Sequence, residues 1–211
     1  MSSQDTCRSR IPPVRRRQRL CAVPIVIPIL ILLLLLASRP GLAQDAEAAW
    51  SALRQGGHVA LVRHATAPGT GDPAGFRLED CATQRNLSPA GRAQAKAIGA
   101  NLRWHGVRVD RVHSSQWCRC LETARLLGLG EVVPLPPLNS FFASPESGTA
   151  QMAELRAWLA DQPRQGALVL VTHQVVITAL TGVVPRSGEI VVARPVAGGA
   201  FELVGRIPAP D

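Results

Sequence analysis

The sequence predicts an α/β protein: a three-layer α/β/α sandwich with a mainly parallel central sheet and an antiparallel edge hairpin. Two short segments, His58–Val62 and Ala167–Val171, are almost wholly apolar, which is typical of strands buried on both faces. Segments with helical periodicity lie between them, and strands that alternate with helices form parallel sheets. Near the C-terminus, Ile190–Arg194 and Ala200–Arg206 flank a segment containing Gly198-Gly199 and predict a closing hairpin.

The first helix between the two buried strands has clear start and stop signals. Ser88 supplies an N-cap, Pro89 suits the first turn, and apolar side chains then recur every three or four residues until Gly106. The elements that follow are a strand, a helix that Gly128 ends, a short strand and another helix, over Val107–Val112, Trp117–Leu127, Glu131–Leu135 and Thr149–Leu159.

Two polar loops, Thr66–Asn86 and Pro136–Gly148, come soon after strand ends. The first is longer than a plain connection needs, which is typical of a functional loop. Ligands of open α/β sheets bind at the carboxyl ends of the strands, so both loops are expected to border a binding site.

The first 43 residues are predicted to be a signal peptide. Arginines before residue 20 precede an uncharged run from Leu20 to Ser38, and Gly41-Leu42-Ala43 offers the small residues that signal peptidase accepts. The run exceeds the usual ~7 to 15 apolar residues of a signal peptide and approaches the roughly 20 that span a bilayer, so a retained anchor is the alternative. Residues 44–57 would form a short linker or an N-terminal helix. Residues 58–211 would form one domain in the periplasm or another extracytoplasmic compartment, with a membrane contact only through an uncleaved leader.

The net charge of +8 belongs largely to the leader. Residues 1–43 contain seven arginines and one aspartate, which leaves 16 basic and 14 acidic residues in the rest of the chain. This near balance predicts no basic surface for nucleic acid, so no nucleic-acid partner is expected. The sequence has no Cys-x-x-Cys or His-x-x-x-His pairing, and neither a metal nor another cofactor is expected.

Three cysteines follow the leader: Cys81, Cys118 and Cys120. An oxidising compartment permits one disulfide among them. Cys118 and Cys120 are two residues apart at the start of a predicted helix, so their side chains point to different sides and do not suit a mutual bridge. We expect Cys81 to pair with Cys118, and three reduced, buried thiols are the alternative.

Histidines follow both buried strands, at His64 and His173. If both strands end at one edge of the sheet, the two imidazoles can face a shared ligand. Arg63 lies beside His64, and Arg119 follows the next strand, so two guanidinium groups are expected at the same edge with donors for phosphate oxygens. Two histidines and two arginines predict a pocket for a dianion.

Four blocks of sequence resemble the histidine phosphatase superfamily in order and spacing. They are Arg63-His64-Ala65 after a buried strand, the run Arg85–Ala95, Ser115 with Arg119, Thr123 and Ala124, and Val171-Thr172-His173. The resemblance implies that His64 is a nucleophile that becomes phosphohistidine, and that Arg63, Arg119 and His173 hold the phosphoryl oxygens without a metal. Covalent capture would divide hydrolysis into two easier steps.

The sequence departs from the family pattern at three places. Ala65 and Gln174 stand where glycine is usual after the two histidines, and Gln174 would either contact phosphate or cap the next helix. Many members place a glutamate after the third strand as the general acid, but here Asn139-Ser140 and then Phe141-Phe142 stand there.

Carboxylates on neighbouring loops are therefore alternatives for the proton donor. Asp80 is our candidate, Asp72 and Glu146 are the others, and a good leaving group would need no acid. As a structural residue, Asp80 would be an exposed loop carboxylate or a partner of Arg85. Thr70 in the same loop is a candidate substrate contact.

Asn139 and the residues after it have two interpretations. Asn139 would contact substrate hydroxyls, and Phe141-Phe142 would form an aromatic wall. Alternatively the two phenylalanines belong to the core, which is the interpretation we favour.

The expected function is a metal-independent phosphomonoester hydrolase that acts through phosphohistidine on His64. The family includes exported lipopolysaccharide core heptose phosphatases, so the expected substrate is a small phosphorylated compound or a glycolipid phosphate of the envelope. The alternatives are a phosphohistidine phosphatase and a non-catalytic phosphate-binding module. A phosphoglycerate-type mutase is disfavoured by the leader, because its substrates are cytoplasmic.

Overall fold

Six strands form one sheet in a computed structural model that describes residues 41–162, 165–196 and 199–210. The strands are β1 (Val59–Arg63), β2 (Val109–Ser114), β3 (Val132–Pro134), β4 (Ala167–Thr172), β5 (Ile190–Pro195) and β6 (Phe201–Ile207). Their order in the sheet is β3-β2-β4-β1-β5-β6. Strands β1, β2, β3 and β4 pair in parallel, whereas β5 is antiparallel to both β1 and β6. The predicted α/β class with an antiparallel edge hairpin is confirmed.

Five α-helices of the described residues cover the two faces of the sheet. They are α1 (Gly41–Gln55), α2 (Pro89–Trp104), α3 (Cys118–Leu127), α4 (Gly148–Ala160) and α5 (Gln174–Thr181). The first three share one hydrophobic core with alternate strand residues, and α4 and α5 share the other. In β1, Ala60 and Val62 enter the first core while Val59 and Leu61 enter the second, as the pleat of a strand covered on both faces requires.

The expected leader lies largely outside the described residues, so its cleavage stays a prediction. The structure begins at Gly41 with helix α1, which includes most of the stretch expected to be a linker or an N-terminal helix. Within the described ranges, no helix has the length and apolar character needed to cross a bilayer.

Strand β2 begins and ends two residues later than the pattern predicted. Val107 is buried, which explains the early prediction, but pairing with β4 begins only at Val109, opposite Ala167. The register shifts between Val109 and Arg111, and the ladder then continues to Ser114. Apolar residues in the sequence indicate which positions are buried, whereas the bounds of a strand depend on hydrogen bonds to the neighbouring strand.

The start of helix α2 packs against the loop that follows β1. The Ser88 side chain accepts a hydrogen bond from the Gly91 backbone amide and so caps the helix. A Cβ atom at Gly91 would lie 2.1 Å from the carbonyl oxygen of Thr66, which is closer than any side chain tolerates. Glycine at this position therefore allows helix α2 to lie directly on the chain two residues after His64.

Candidate active site

Adjacent parallel strands bring His64 and His173 together. Arg63 pairs with Thr172 in the register of β1 and β4, and the His64 amide donates to the Thr172 carbonyl at 2.9 Å. The ring centroids of the two histidines are 5.5 Å apart, and both side chains are buried. The two imidazoles thus form the floor of one site at the carboxyl edge of the sheet.

The hydrogen bond of His64 defines which ring nitrogen is free. Nδ1 lies 2.8 Å from the carbonyl oxygen of Ala65, which can only accept, so Nδ1 carries the proton and Nε2 keeps its lone pair. Burial lowers the pKa of His64 to about 3, and the nearby charges of Arg119, Arg63 and Arg85 act in the same direction against the bond to Ala65. At neutral pH His64 is therefore an uncharged imidazole with an available nucleophilic nitrogen.

A relay of side chains orients His173. The Nδ1 atom of His173 faces Nη2 of Arg119 at 3.5 Å, and because a guanidinium only donates, the ring proton belongs on Nε2. Nε2 then donates to Ser115 Oγ at 2.8 Å, and Ser115 Oγ donates to Asn139 Oδ1 at 3.2 Å. Burial and the neighbouring positive charges hold the pKa of His173 well below its ordinary value.

Asn139 takes part in this relay and does not line the pocket, contrary to its expected contact with substrate. Besides Ser115, its Oδ1 accepts from the Gln116 amide at 2.8 Å, and its Nδ2 donates to Gln116 Oε1 at 2.8 Å. Both the oxygen and the nitrogen of the Asn139 side chain therefore form hydrogen bonds with the segment that precedes α3. The correction has a simple cause: an amide after a strand is equally suited to bind a ligand or the protein itself.

Arg119 is held by Asp72, a residue of the long loop after β1. Nη1 and Nη2 of Arg119 donate to the two carboxylate oxygens at 2.7 and 3.0 Å, and the side chains are only 3% and 10% exposed. Asp72 also accepts from the Trp117 indole at 3.0 Å and from the Arg85 amide at 3.2 Å. Burial opposes ionisation, but the hydrogen bonds and charge of Arg119 outweigh it and hold the pKa of Asp72 below its ordinary value.

Arg63 is held by the turn before β5. Its Nη1 donates to the Pro185 carbonyl at 2.8 Å, and the Gly188 amide donates to the carbonyls of Arg63 and His64 at 3.1 and 3.2 Å. Gly188 has a φ of +75°, the left-handed conformation that glycine adopts without strain. Glu189 stabilises this turn, because its carboxylate accepts from the Arg186 amide and from Nε of Arg206, at 2.7 and 2.5 Å.

Two donors at the site have no acceptor. Among the described residues, the buried Nε atoms of Arg63 and Arg119 lack a hydrogen-bond partner. Buried polar groups are normally satisfied, and an unpaired one calls for an explanation such as a missing ligand. An anion on the floor of the pocket would supply acceptors to both arginines.

The site opens into a cavity of about 410 Å³. Thr70 and Gln174 contribute to its wall, as expected from the sequence, together with both histidines and both arginines. Phe76, Arg85 and Trp117 are among the lining side chains that were not singled out from the sequence. Arg85 begins one of the four matched blocks and Trp117 lies between Ser115 and Arg119 of another, but only their spatial position identifies them as pocket residues.

Asp80 does not reach this cavity, and its choice as the proton donor is not supported. Its carboxylate caps the short turn Cys81–Thr83 through the Ala82 amide and forms a salt bridge with Arg77, not with Arg85. The hydrogen bond to Arg77 holds the pKa of Asp80 below its ordinary value, so it is ionised. Glu146 is exposed and also lies outside the cavity wall, whereas Asp72 lies within it.

The two phenylalanines after Asn139 have different surroundings. Phe141 is partly buried and packs against the core formed by α4 and α5. Phe142 is 58% exposed and lies at the cavity, so the preferred assignment of both rings to the core is correct for Phe141 alone.

Cys81 and Cys118, the pair expected from the sequence, are joined by a disulfide. The bond attaches the long loop that contains Asp72 to the first residue of α3, next to Arg119. Cys120 is a buried free thiol, and burial raises its pKa to about 12. Its Sγ lies 3.4 Å from Nε2 of His173, so it packs behind the relay as a neutral group.

In the part of the chain that the structure describes, no three His, Cys, Asp or Glu side chains are grouped so that they could hold a metal ion. The polar groups of the pocket are histidines and arginines around a single carboxylate, which suits an anion more than a cation.

Solved structures share this fold at low sequence identity. The protein histidine phosphatase SixA complexed with tungstate is 17% identical with a TM-score of 0.53, over 72% of this chain and 96% of that one. The putative phosphohistidine phosphatase SixA from Nakamurella multipartita is 22% identical with a TM-score of 0.51, over 74% and 98%. The product of open reading frame Rv3214 of Mycobacterium tuberculosis is 18% identical with a TM-score of 0.51, over 72% and 97%. No functionally curated protein matches the sequence.

The profile of the histidine phosphatase superfamily (branch 1) matches residues 59–141, which include β1, the long loop, α2 and α3. Over these residues the chain is similar to the histidine phosphatase superfamily. This similarity supports a phosphatase, and it agrees with a pocket in which a neutral His64 faces His173 between two arginines. The heptose phosphatases stay a suspected resemblance within this superfamily.

The sequence did not predict the supporting roles of three residues, which hold the arginines or orient His173. Asp72 was considered only as a proton donor, although the glycines on both sides of it, Gly71 and Gly75, are a signal for a loop that folds back closely. Glu189 follows Gly188 directly before β5 and had no recognisable motif. Ser115 was part of a matched block without an assigned role.

Proposed function

We propose that the protein is a phosphatase that hydrolyses phosphate monoesters through a phosphohistidine intermediate at His64. The observation that carries the proposal is the pairing of an uncharged His64, whose Nε2 is free, with His173 at 5.5 Å between Arg63 and Arg119. The two buried arginine Nε atoms without acceptors support the same ligand, an anion with several oxygens.

In the first step, Nε2 of His64 attacks phosphorus and forms the N–P bond while the bond from phosphorus to the ester oxygen breaks. Charge develops on the phosphoryl oxygens, where the guanidinium groups of Arg63 and Arg119 would stabilise it. The departing oxygen leaves with the electron pair of the broken bond and takes a proton from solvent. In the second step water attacks phosphorus, the N–P bond breaks, and phosphate leaves with His64 neutral again.

The leaving group receives little help from the pocket. Among the described residues, Asp72 is the only Asp or Glu of the cavity wall, and its bidentate bond to Arg119 keeps it ionised. A carboxylate in this state does not donate a proton. The proposal therefore favours substrates whose leaving groups are stable without enzymatic protonation.

A phosphohistidine phosphatase is the second candidate, and the same observation favours it. Cleavage of the P–N bond of phosphohistidine releases an imidazole, which is basic enough near neutral pH to take its proton from water. The protein would then transfer the phosphoryl group from a substrate imidazole to His64 and onward to water. Release of phosphate from a phosphohistidine peptide faster than from phenyl phosphate would favour this candidate over the ester hydrolase.

We propose further that the substrate is an extracytoplasmic phosphate compound. The predicted signal peptide supports this location. The disulfide between Cys81 and Cys118 also supports it, because disulfides persist in oxidising compartments.

The test is phosphate release from p-nitrophenyl phosphate by the purified full-length protein in the presence of EDTA. We expect turnover in the wild type, a loss of at least about 1,000-fold in His64→Ala, and little change in the control His58→Ala, whose ring lies outside the cavity wall. A phosphoenzyme that is stable in base and labile in acid would place phosphate on histidine. Absence of turnover in the wild type, with phosphate still bound, would identify a non-catalytic phosphate-binding module instead.

A further inference from the structure

A series of neighbouring aromatic rings extends along the cavity wall from the two histidines to Phe76. The ring of Trp117 lies 5.3 Å from that of His173 in an edge-to-face arrangement, and Phe76 lies 5.6 Å from Trp117. His64 and His173 are themselves 5.5 Å apart. Aromatic faces and edges therefore adjoin the two histidines in the wall of the same cavity.

The mouth of the cavity is also apolar. Phe142 remains 58% exposed, although large aromatic side chains are usually covered, and Ala143 and Val175 lie at the same cavity. Phe76, Trp117 and Phe142 come from three separate segments of the chain, the two long loops and the start of α3. Three independent segments thus place aromatic carbon around one opening.

Charge in the pocket is concentrated at the phosphate end. Among the described lining residues, the charged side chains other than histidine are Arg63, Arg85, Arg119 and Asp72. Asp72 is bound to Arg119, and Arg85 donates from Nε and Nη1 to the carbonyls of Gly71 and Ala67. The remaining positive charge matches a phosphate dianion and leaves no evident partner for a second charged group on the substrate.

We propose that the substrate carries its phosphate on an aromatic ring, as an aryl phosphate ester such as a phenol or tyrosine phosphate. This inference rests on the proposed phosphatase function and specifies its substrate class. The aromatic mouth supplies stacking and edge contacts to the ring. A phenol such as the tyrosine side chain has an ordinary pKa of about 10, far below that of an alkyl alcohol. A phenolate therefore leaves without a proton donor, and the ionised state of Asp72 lowers the rate little.

Binding of phosphonates tests the contact without any chemistry. Phenylphosphonate and methylphosphonate present the same anion, and neither has a leaving group. We expect calorimetry with the full-length protein to show phenylphosphonate binding about tenfold more tightly than methylphosphonate, which is the size of one or two aromatic contacts. Phe76→Ala and Phe142→Ala should each reduce this difference to about threefold or less, while the affinity for methylphosphonate stays the same.

Kinetics with phenyl phosphate, phosphotyrosine and glycerol 2-phosphate complete the test. The Phe76→Ala and Phe142→Ala variants should lose about threefold to tenfold in kcat/KM on the two aryl esters through KM, and less than about twofold on glycerol 2-phosphate. Phe141→Leu, in the same loop but packed in the core, is the matched control. Equal losses on all three esters, or equal affinity for the two phosphonates, would overturn the aromatic assignment and leave the phosphatase proposal intact. Phosphonate binding without turnover of any ester would instead refute the phosphatase proposal.

Discussion

The carboxylate of Asp72 accepts two hydrogen bonds, of 2.7 and 3.0 Å, from the guanidinium of Arg119 inside the pocket. The contact joins the loop after β1 to helix α3. It fixes the plane of the arginine that is expected to hold the phosphoryl group, and leaves its Nε without an acceptor among the described residues. Asp72 is thus a positioning residue whose effect would pass through Arg119.

Asp72→Asn should therefore reduce kcat/KM on p-nitrophenyl phosphate by roughly 100-fold, because a displaced arginine no longer matches the oxygens of the transition state. Asp80→Asn is the matched control, since it removes a carboxylate from the same loop that pairs with the exposed Arg77. We expect less than about a twofold effect from it. Equal losses in the two variants would show that the loop as a whole, and not the bond to Arg119, governs activity.

Asn139→Leu should lower kcat about tenfold with little change in KM. The substitution removes the acceptor of Ser115 Oγ, which in turn accepts from Nε2 of His173. Gln151→Leu provides the comparison, because Gln151 binds the backbone carbonyls of Pro137 and Asn139 but not the relay. A similar decrease in kcat in Gln151→Leu would mean that the turn, and not the relay, matters.

Glu189→Gln should raise KM about tenfold and lower the free energy of unfolding by about 1–2 kcal/mol. The buried carboxylate holds the turn that binds Arg63, and its partner Arg206 is 39% exposed, which limits the loss of stability. Glu202→Gln removes the exposed pair with Arg194 on the same hairpin and should change neither quantity. Steady-state kinetics well below the melting temperature, with denaturant unfolding in parallel, separate the two effects, and an unchanged KM in Glu189→Gln would refute the positioning role.

Replacing both Cys81 and Cys118 by serine should lower the free energy of unfolding by about 2–4 kcal/mol, because the bond restricts the unfolded chain between them. Activity should fall as well, since the bond holds the loop of Asp72 against α3. Thiol titration in denaturant should give two additional thiols after reduction. If reduction adds none, the disulfide is absent from the protein in solution.

Stability should decrease as the pH falls from about 6.5 to 4, because buried histidines remain neutral in the folded protein while the unfolded chain binds protons. Burial lowers the pKa of His64 to about 3, and His173 and His113 are also lowered, so the unfolded state gains protons throughout this window. Each histidine contributes up to about 1.4 kcal/mol per pH unit. Urea unfolding at several pH values gives the slope of the free energy of unfolding against pH. This slope should be smaller by about that amount in His64→Asn, and an unchanged slope would contradict a neutral His64.

The same shift affects catalysis. Because His64 keeps its lone pair down to a pH of about 3, its titration should produce no acid limb near 6.5 in kcat/KM. After correction for ionisation of the substrate phosphate, kcat/KM measured between about pH 5 and 8 should be flat on the acid side. A limb at the ordinary histidine value would show that the imidazole is more hydrated than its burial indicates.

The sequence predicted the parts of the fold that depend on local patterns. Burial on both faces makes β1 and β4 continuous apolar segments, and a histidine directly after each strand has only one edge of the sheet to occupy. The placement of His64 and His173 therefore followed from the two apolar segments and their length. The first turn of α2 was predicted because serine is a typical N-cap residue and proline suits the first helical position.

Loop geometry could not be predicted in this way. The choice between Asp72 and Asp80 depends on the path of the loop, which is determined by the disulfide and by bonds to Arg85, Trp117 and Arg119. Both aspartates look alike in the sequence. Asn139 was misassigned on the same grounds, since its partners lie on a different segment of the chain.

The hydrogen bond from the His64 amide to the Thr172 carbonyl joins residues more than one hundred positions apart in the sequence. His64 is synthesised more than one hundred residues before His173, which depends on β4 for its position. A chain in which β4 has not yet paired with β1 does not contain both halves of the site. Reactivity toward phosphate therefore appears only with the long-range pairing of β1 and β4.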